Sequence, residues 1–420
     1  MPHEDILTEA FFAKHRWEKG IQKAVDKEIK PSLLKKLCLA DTRVKLYRQI
    51  RDGKYRVTPP HEARIPKENG EFRTVYVNEA QDRVILNILN DLFFEFCPEN
   101  IHPNCYSYQT GIGCGKVVKK VSKIVQNMNS EEIGVKIDLS KYFDSVAIED
   151  IDDAFDTIER KLGPSAMLDL IRDYYHDNRV LDIDKNEIEK YSSLRQGCPV
   201  AAYLADAVLK PIDDKLSRMD IAYFRYSDDI LLIGENWREG FEILKAMLAD
   251  MQLTLNPKKV EPLYKHRWFK FLGFNIKNDL ITLSKTRIKT FQNEITARCY
   301  GRNNLPGIIR AVNRYLYFGD GEYSWASSVM PVINCQPDIM TLNAFVMDAI
   351  RAGATGNKRI GGLGCNMTGE TSCVVRGTGR HVTTNRKSIP RIEDYLTLDG
   401  YRKAANISAE AASALVSSLI

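Results

Sequence analysis

The chain has 420 residues, a hydrophobic content of 44% and a net charge of +5 at pH 7. This length exceeds one ordinary domain, and the hydrophobic content is sufficient for a large buried core. No apolar run is long enough to span a bilayer and no signal peptide is recognisable, so we expect a cytoplasmic protein without a membrane partner. The nine cysteines include no Cys-x-x-Cys pair, which excludes a zinc-finger class and predicts free thiols in a reducing compartment.

Apolar residues recur at helical spacing in three segments of the chain. A strongly amphipathic helix is predicted over residues 84–96. In residues 116–125, valines and one isoleucine oppose four lysines. Lys116 and Lys120 on that basic face are candidate contacts to nucleic-acid phosphates, although a charged face is usually only solvated. A third apolar stripe, which has Pro211 inside it, predicts a helix that is kinked at the proline.

Two apolar segments in the middle of the chain carry acids at their ends. A short apolar strand ends at Asp138, and the segment 223–233 predicts a β-hairpin with a three-residue tip of Ser227, Asp228 and Asp229. An isolated Asp-Asp pair is more often a solvated turn, because Asp is a preferred turn residue. The apolar strands on both sides of the tip, and the partner strand that ends in an acid, favour a metal site instead.

Carboxylates in this arrangement suit nucleotidyl transfer. The reaction is an in-line displacement at phosphorus, and two Mg²⁺ ions about 3.5–4 Å apart can stabilise the attacking and leaving oxygens together. Mg²⁺ takes carboxylate oxygens, waters and phosphates as its ligands. Because successive side chains on a strand point to opposite faces, Asp138 and Asp228 are the primary candidate ligands and Asp229 ranks below them. The pattern predicts the palm of a nucleic-acid polymerase with two Mg²⁺ ions.

Six further motifs lie in order around these acids. They are found at residues 64–73, 82–86, 104–113, 194–199, 255–260 and 271–274. The ordered series resembles bacterial reverse transcriptases of the group II intron and retron lineage, over roughly residues 60–320. Ser227 and Cys198 depart from the residues that are commonest in that family at their positions. Neither departure removes a predicted metal ligand.

The resemblance implies roles for residues in several of these motifs. Lys67 and Arg73 would bind the incoming triphosphate, to which arginine offers a bidentate fork and lysine a point charge. Taken alone, these two residues would more often be solvated surface charges. Gln196 and Gly197 would pack against the nascent base pair. Lys259 would lie near the pyrophosphate as a further catalytic residue.

Two more sites implied by the resemblance contact the primer and the sugar. The hairpin residues Phe271, Leu272 and Gly273 would grip the primer. Phe143, five residues after Asp138, would lie under the sugar of the incoming nucleotide, where its ring leaves no room for a 2′-hydroxyl. It therefore argues for deoxynucleotides, although a Phe at the end of a strand is as often a core residue.

The implied fold is α+β, a right-hand polymerase with fingers and palm built from an antiparallel sheet plus helices, and with an α-helical thumb. We divide the chain into an N-terminal helical extension (1–60), fingers and palm forming the reverse transcriptase domain (61–284), a helical thumb (285–350), and a basic Gly-rich C-terminal extension with a terminal helix (351–420). Residues 285–314 carry seven basic side chains against one acid. Arg310 and Arg314 are therefore predicted to bind the nucleic-acid backbone.

We expect an RNA-directed DNA polymerase that uses dNTPs to copy a dedicated noncoding RNA template into cDNA. The nearest resemblance is to stand-alone, class 2-like defence-associated enzymes, which implies a role in antiphage defence. One alternative is a template-independent or protein-primed DNA polymerase of the abortive-infection type. Another is an RNA-binding splicing or scaffold factor with a vestigial polymerase site, against which the intact acids argue. Phe143 argues against an RNA-dependent RNA polymerase.

Overall fold

The residues described by a computed structural model are 5–23, 29–66, 71–109, 111–300, 305–318, 324–355, 373–374 and 381–382. They form an α+β fold of many helices around small, mainly antiparallel sheets, which confirms the predicted fold class. The chain divides into two compact units, Met1–Gly111 with Ile133–Leu263 and Ile112–Glu132 with Tyr264–Ile420. Within the described ranges, no helix combines the length and the apolar character that crossing a membrane requires.

The described part of the first unit begins with four helices. They are α1 (Ile6–Phe12), α2 (Lys14–Lys23), α3 (Pro31–Leu37) and α4 (Ala40–Arg51). Phe11 and Trp17 are buried in the hydrophobic core that these helices share with the rest of the unit. Asp5 caps α1 by accepting a hydrogen bond from the Thr8 amide at 2.9 Å, and it also accepts from the Ala166 amide at 2.8 Å. The capped end of α1 is thereby fixed to a later part of the same unit.

A four-stranded sheet follows these helices. Its strands are β1 (His61–Pro66), β2 (Phe72–Val77), β4 (Arg179–Leu181) and β5 (Glu187–Glu189), in the order β2-β1-β4-β5. β1 and β2 pair antiparallel, with Ile65 opposite Arg73. Both ends of the 64–73 motif are therefore extended. Lys67 lies outside the described residues.

The second sheet of this unit carries the predicted acids. Its strands are β3 (Glu132–Asp138), β6 (Ala222–Tyr226), β7 (Asp229–Ile233) and β8 (Glu261–Tyr264), in the order β6-β7-β3-β8. β7 is antiparallel to both β6 and β3. Gly134 in β3 lies so close to β7 that an added Cβ would stand 2.1 Å from the Leu232 carbonyl oxygen. A glycine at this position lets the two central strands approach each other.

Seven helices pack around these sheets in the same unit. They are α5 (Ala80–Phe96), α7 (Tyr142–Ser145), α8 (Ile148–Leu162), α9 (Ala166–His176), α10 (Ala201–Ala207), α11 (Lys210–Leu216) and α12 (Trp237–Asp250). The amphipathic helix predicted over residues 84–96 is thus confirmed as part of α5. Its buried face includes Ile85, Leu89 and Phe93, which are at most 1% exposed.

The helix predicted after Pro199 is two helices rather than one kinked helix. α10 ends at Ala207 and α11 begins at Lys210, with Pro211 in its first turn. Proline has no N–H, and its ring clashes with the carbonyl four residues earlier, which here belongs to Ala207. The proline therefore ends the first helix completely and starts the second. Asp206 and Asp213 consequently lie on separate helices on either side of the break.

The second unit combines the segment Ile112–Glu132, which contains one helix, with the chain from Tyr264 onwards. Its elements are α6 (Cys114–Asn127), β9 (Phe269–Phe271), β10 (Phe274–Lys277), β11 (Leu280–Leu283), α13 (Lys285–Cys299), α14 (Leu305–Asn313), two π-helical turns (Arg314–Phe318 and Trp325–Val329) and α15 (Gln336–Thr355). The three strands form an antiparallel sheet, and α6 packs on β10 and β11. Val117 and Val121 are buried in α6 while Lys119 and Lys123 are exposed, which confirms the predicted amphipathic helix.

Several predictions for the C-terminal region lie outside the described residues. They include the Gly-rich part of the predicted extension, at 361–364, and the terminal helix, at 403–420. The last described elements are two short paired strands, β12 (Cys373–Val374) and β13 (His381–Val382). α15 continues to Thr355, past the predicted thumb boundary at 350. The functional division into fingers, palm, thumb and extensions stays a prediction.

Candidate active site

The turn between β6 and β7 carries Asp228 at its tip. Tyr226 pairs with Asp229 across the hairpin, so the tip has two residues, Ser227 and Asp228, and the predicted three-residue tip is wrong. Asp229 is the first residue of β7, because the strand pairing continues one residue further than the sequence suggested. Ser227 has a φ of 56°, in the left-handed region that costs energy for a residue with a Cβ.

Asp138 lies beside this turn. It is the last residue of β3, and its Cα is directly opposite that of Asp229 in the antiparallel register of β3 and β7. The chain after Asp138 stays close to the tip, since the Leu139 amide donates to the Asp228 carbonyl at 3.3 Å. The structure therefore brings the three predicted carboxylates together at one end of two central strands.

Asp228 is the group of the cluster whose ionised form is least favourable. Burial of Asp228, followed by repulsion from Asp138 and Asp229, raises the pKa of Asp228 to about 6. Lys259 and a backbone hydrogen bond oppose this effect without cancelling it. The Lys136 ammonium stands 4.0 Å from an Asp229 carboxylate oxygen, at the limit of an ion pair. A carboxyl group with such a raised pKa marks a candidate functional site, because a carboxylate with a purely structural role normally has a cation or hydrogen-bond donors beside it.

Lys259 forms the strongest contact within the cluster. Its ammonium donates to both carboxylate oxygens of Asp138, at 2.9 and 2.7 Å. The backbone brings it there, because the Asn256 amide donates to the Asp138 carbonyl at 3.0 Å and a short 3₁₀ turn, Pro257–Lys259, follows. The Lys259 side chain is 53% exposed whereas that of Asp138 is 12% exposed. The ammonium thus covers Asp138 from the solvent side.

The predicted magnesium ions require suitable ligand atoms in this cluster of carboxylates. Across the residues that the structure describes, no group of three or more His, Cys, Asp or Glu side chains is arranged closely enough to hold a metal ion by itself. The oxygen-only donors nevertheless match the ligands that Mg²⁺ prefers, and Mg²⁺ usually takes one or two carboxylates and completes its shell with water and phosphate. The negative charges of Asp138 and Asp229, which add to the effect of burial on the pKa of Asp228, also favour a cation. The residues therefore fit the ion.

Phe143 stands next to a cavity in the same unit. It follows Tyr142, which is 2% exposed and donates its hydroxyl to the Ala205 carbonyl at 2.8 Å. The anchored Tyr142 leaves Phe143 half-buried, and Phe143 lines a cavity of about 230 Å³ together with residues that include Tyr76 and Arg195. Tyr142 is thus the packed residue of the pair, while Phe143 has a face available to a ligand.

The Gln196–Gly197 loop packs against β2. The Tyr76 amide donates to the Gln196 carbonyl at 2.7 Å. Gly197 has a φ of 106°, and an added Cβ would lie 2.7 Å from the Tyr76 carbonyl oxygen. Only glycine fits such a position without moving the backbone. Arg73, three residues before Tyr76 on the same strand, is exposed.

The remaining predicted residues belong to the second unit. Phe271 is buried at the end of β9, and Leu272 and Gly273 form the turn to β10 with φ values of 49° and 79°, so the predicted hairpin is present. Lys116 and Lys120 are exposed on α6. Arg310 is exposed on α14, and Arg314 is exposed on the π-helical turn that follows it. Their roles in binding primer and template stay predictions.

Sequence reasoning missed a buried polar network beneath the hairpin. Its members are Ser107, Asp206, Asp213 and Arg225, and each of them is 0% exposed. A signal was present, because Arg225 interrupts an apolar strand and the two acids interrupt an apolar helical stripe. Charges at such positions are almost never fully buried unless they are paired.

Comparisons with known proteins identify a family and distant structural likenesses. The family model described as "Reverse transcriptase (RNA-dependent DNA polymerase)" matches residues 65–276. A search of curated proteins finds no match. Among solved structures, a telomerase from Candida albicans in complex with a TWJ fragment of telomeric RNA is similar with a TM-score of 0.42 and 11% identity, over 81% of this chain. The chain spans 63% of that telomerase chain.

The raised pKa of Asp228 predicts a stability effect of its neutral analogue. The folded pKa of about 6 exceeds the ordinary value of 3.8, so the folded protein holds this proton more tightly than the unfolded chain does. The protein therefore loses stability as the pH rises between these two values. Asp228→Asn should therefore raise the melting temperature at pH 7.5 without divalent metal. We expect a gain on the order of 1 kcal/mol after allowing for partial exposure.

The pH dependence provides the control for this prediction. At pH 5 the wild-type Asp228 already holds its proton, so the advantage of Asp228→Asn should shrink. Asp184→Asn, at an exposed turn between β4 and β5, should change the melting temperature little at either pH. An Asp228→Asn protein that is less stable than the wild type at pH 7.5 would contradict the repulsion on which this reading of the cluster depends.

Proposed function

Because the chain belongs to the reverse transcriptase (RNA-dependent DNA polymerase) family, we propose that Asp138, Asp228 and Asp229 serve DNA synthesis on an RNA template from dNTPs. The observation that carries this proposal is the convergence of the three carboxylates at the ends of β3 and β7, where burial and then repulsion raise the pKa of Asp228 to about 6. A protein that only bound RNA would have no use for acids that repel phosphate.

Asp138 and Asp228 would hold two Mg²⁺ ions, with Asp229 contributing from the first position of β7. When bound, such ions stabilise the attacking 3′ oxygen and the leaving pyrophosphate of nucleotidyl transfer. The protein supplies the positions of the carboxylates, which are fixed by the register of β3 and β7 and by the Leu139 amide at the Asp228 carbonyl. Fixed ligands matter because a misplaced reacting group loses much of its catalytic effect.

Lys259 would have one role before substrate binds and another after it. In the free protein its ammonium neutralises Asp138 through two hydrogen bonds. Its side chain is half-exposed, so the ammonium can turn from Asp138 towards a leaving pyrophosphate, to which lysine offers a compact point charge. The same residue would then limit repulsion before substrate binding and stabilise charge after it.

The cavity beside Phe143 would receive the incoming nucleotide. Its wall includes Tyr76 of β2, whose amide holds the Gln196 carbonyl. Arg73 on the same strand would reach the triphosphate, together with Lys67. Phe143 would exclude the 2′-hydroxyl from this side, which accounts for a preference for deoxynucleotides.

The second unit would hold the template and the primer. Its exposed basic residues on α6 and α14, Lys116, Lys120, Arg310 and Arg314, are suited to phosphate contacts that release counterions. The hairpin of Phe271, Leu272 and Gly273 would hold the primer strand. We further propose a dedicated noncoding RNA as template and a role in antiphage defence within the cytoplasm. Support for these last points is the resemblance to stand-alone defence-associated reverse transcriptases.

Removal of two ligands should separate chemistry from binding. Asp228→Asn with Asp229→Asn should lower primer extension on poly(rA)/oligo(dT) by roughly 1,000-fold or more, since each 1.36 kcal/mol of lost stabilisation is tenfold in rate. RNA affinity in filter binding should stay within about three-fold, because phosphate contacts dominate it. Asp182→Asn with Asp184→Asn removes two acids from another hairpin turn in the same unit and should leave extension intact. Near-normal extension by the first variant would contradict the site.

Deletion of the Phe143 ring should open the site to ribonucleotides. In Phe143→Ala, the preference for dTTP over UTP in the same assay should fall by roughly 10- to 100-fold, as is typical when a close steric contact is removed. Phe96→Ala is the matched control, since Phe96 is also half-buried but lies on α5 under the Arg16 guanidinium. If both variants keep the wild-type preference, Phe143 is a core residue and another group discriminates the sugar.

A further inference from the structure

Three fully buried ionisable side chains lie beneath the β6–β7 turn. Arg225 donates to both carboxylate oxygens of Asp213, at 2.7 and 2.6 Å, and to the Asp206 carbonyl at 2.8 Å. Tyr223 also donates to Asp213, at 2.5 Å. The group joins β6 to α10 and α11, on either side of the helix break. Burying ions is costly, and a buried ion pair is often no more stable than apolar side chains of similar volume.

A serine extends this group towards the turn. Ser107 donates its hydroxyl hydrogen to an Asp206 carboxylate oxygen at 2.5 Å, and the same Asp206 oxygen lies 3.5 Å from the Arg225 guanidinium. A serine hydroxyl has one hydrogen and two lone pairs. Because Asp206 takes the hydrogen, a lone pair of Ser107 is left to accept a hydrogen bond from elsewhere.

The network ends on both polar backbone groups of Ser227. The Ser227 amide donates to the Ser107 hydroxyl oxygen at 2.9 Å, and the Ser227 carbonyl accepts from the Arg225 guanidinium at 3.3 Å. Ser227 is held between these contacts with a φ of 56°. A non-glycine residue keeps such a conformation only where its surroundings enforce it. The next residue in the chain is Asp228.

We propose that Ser107, Asp206, Arg225 and Asp213 form a positioning network that fixes the Ser227 backbone and thereby aims Asp228 in the polymerase site. The proposal rests on the function proposed above. All four residues are fully buried, so each would act through Ser227 rather than on a substrate. A purely structural ion pair would explain Arg225 and Asp213, but it would not require a serine and a second acid that lead to the Ser227 amide.

Ser107 is the residue at which the network is best tested. Truncating Arg225, Asp206 or Asp213 leaves an unpaired buried charge, which is strongly destabilising. Ser107→Ala removes one hydroxyl and leaves the ion pair in place. The control is Ser165→Ala, because Ser165 is also a buried serine of the first unit and caps α9 by accepting from the Met167 amide at 3.2 Å. Both variants lose one hydroxyl that accepts from a backbone amide.

The activity test uses poly(rA)/oligo(dT), dTTP and Mg²⁺. Ser107→Ala should lower kcat roughly five- to ten-fold, because it removes the acceptor of the Ser227 amide and the donor to Asp206, while KM for dTTP changes less than about two-fold. Ser165→Ala should keep the wild-type kcat at a temperature where both variants are folded. Equal losses of kcat in the two variants would mean that Ser107→Ala acts by general destabilisation, and this result would overturn the proposal. A wild-type kcat in Ser107→Ala would also overturn it.

A second substitution tests the backbone conformation itself. Glycine adopts a positive φ without the steric cost of a Cβ. Adding Ser227→Gly to Ser107→Ala should therefore restore at least about half of the lost kcat on a logarithmic scale. The reason is that glycine at residue 227 keeps a positive φ with fewer supporting contacts. If the double variant is no faster than Ser107→Ala, the conformation of Ser227 is not what the network controls.

Hydrogen exchange provides a readout that does not depend on catalysis. The Ser227 amide should exchange roughly ten-fold faster or more in Ser107→Ala than in the wild type, since its acceptor is lost. Exchange in Ser165→Ala should match the wild type at this amide. A wild-type protein that extends no primer would refute the proposed function, yet unchanged exchange at Ser227 would separately refute the positioning network.

Discussion

The rest of this structure depends on one electrostatic constraint, the meeting of three carboxylates at the ends of β3 and β7. Burial of Asp228, together with repulsion from the other two carboxylates, raises the pKa of Asp228 to about 6. Ionised Asp228 is therefore unfavourable in the absence of a cation. Proteins keep such strain where function requires it and compensate for it elsewhere. Here the compensation comes from Lys259 on Asp138, and from strands that are held in register by a buried sheet.

The architecture around the acids serves to keep them in place. Gly134 lets β3 approach β7 closely, and the broken helix formed by α10 and α11 presents Asp206 and Asp213 to Arg225. The 3₁₀ turn after Asn256 places Lys259 over Asp138. Each of these contacts joins segments that are distant in the sequence, and all of them involve the sheet that carries the acids. The family membership of the chain and this local geometry both support the proposed function.

The parts of the site that follow local rules could be predicted from the sequence. Asp138 and Asp228 were identified because acids end apolar strands, and α5 and α6 because their apolar residues have helical spacing. The contact of Lys259 with Asp138 could not be predicted, since it joins residues 121 positions apart. The network of Ser107, Asp206, Arg225 and Asp213 could not be predicted for the same reason. Its charged residues cannot be told from solvated ones until the fold brings the partners together. The strand register alone decided that Asp229 belongs to β7 rather than to the turn.

The central claim is that these carboxylates bind two catalytic metal ions, and anomalous diffraction from Mn²⁺ tests it most directly. Crystals would contain the protein with an RNA–DNA primer-template and a non-hydrolysable deoxynucleotide analogue. The account predicts two Mn²⁺ peaks about 3.5–4 Å apart, both in contact with Asp138 or Asp228, and Lys259 no longer bonded to both oxygens of Asp138. Peaks at other acids, or no peak with the Lys259–Asp138 pair intact beside a bound nucleotide, would contradict it.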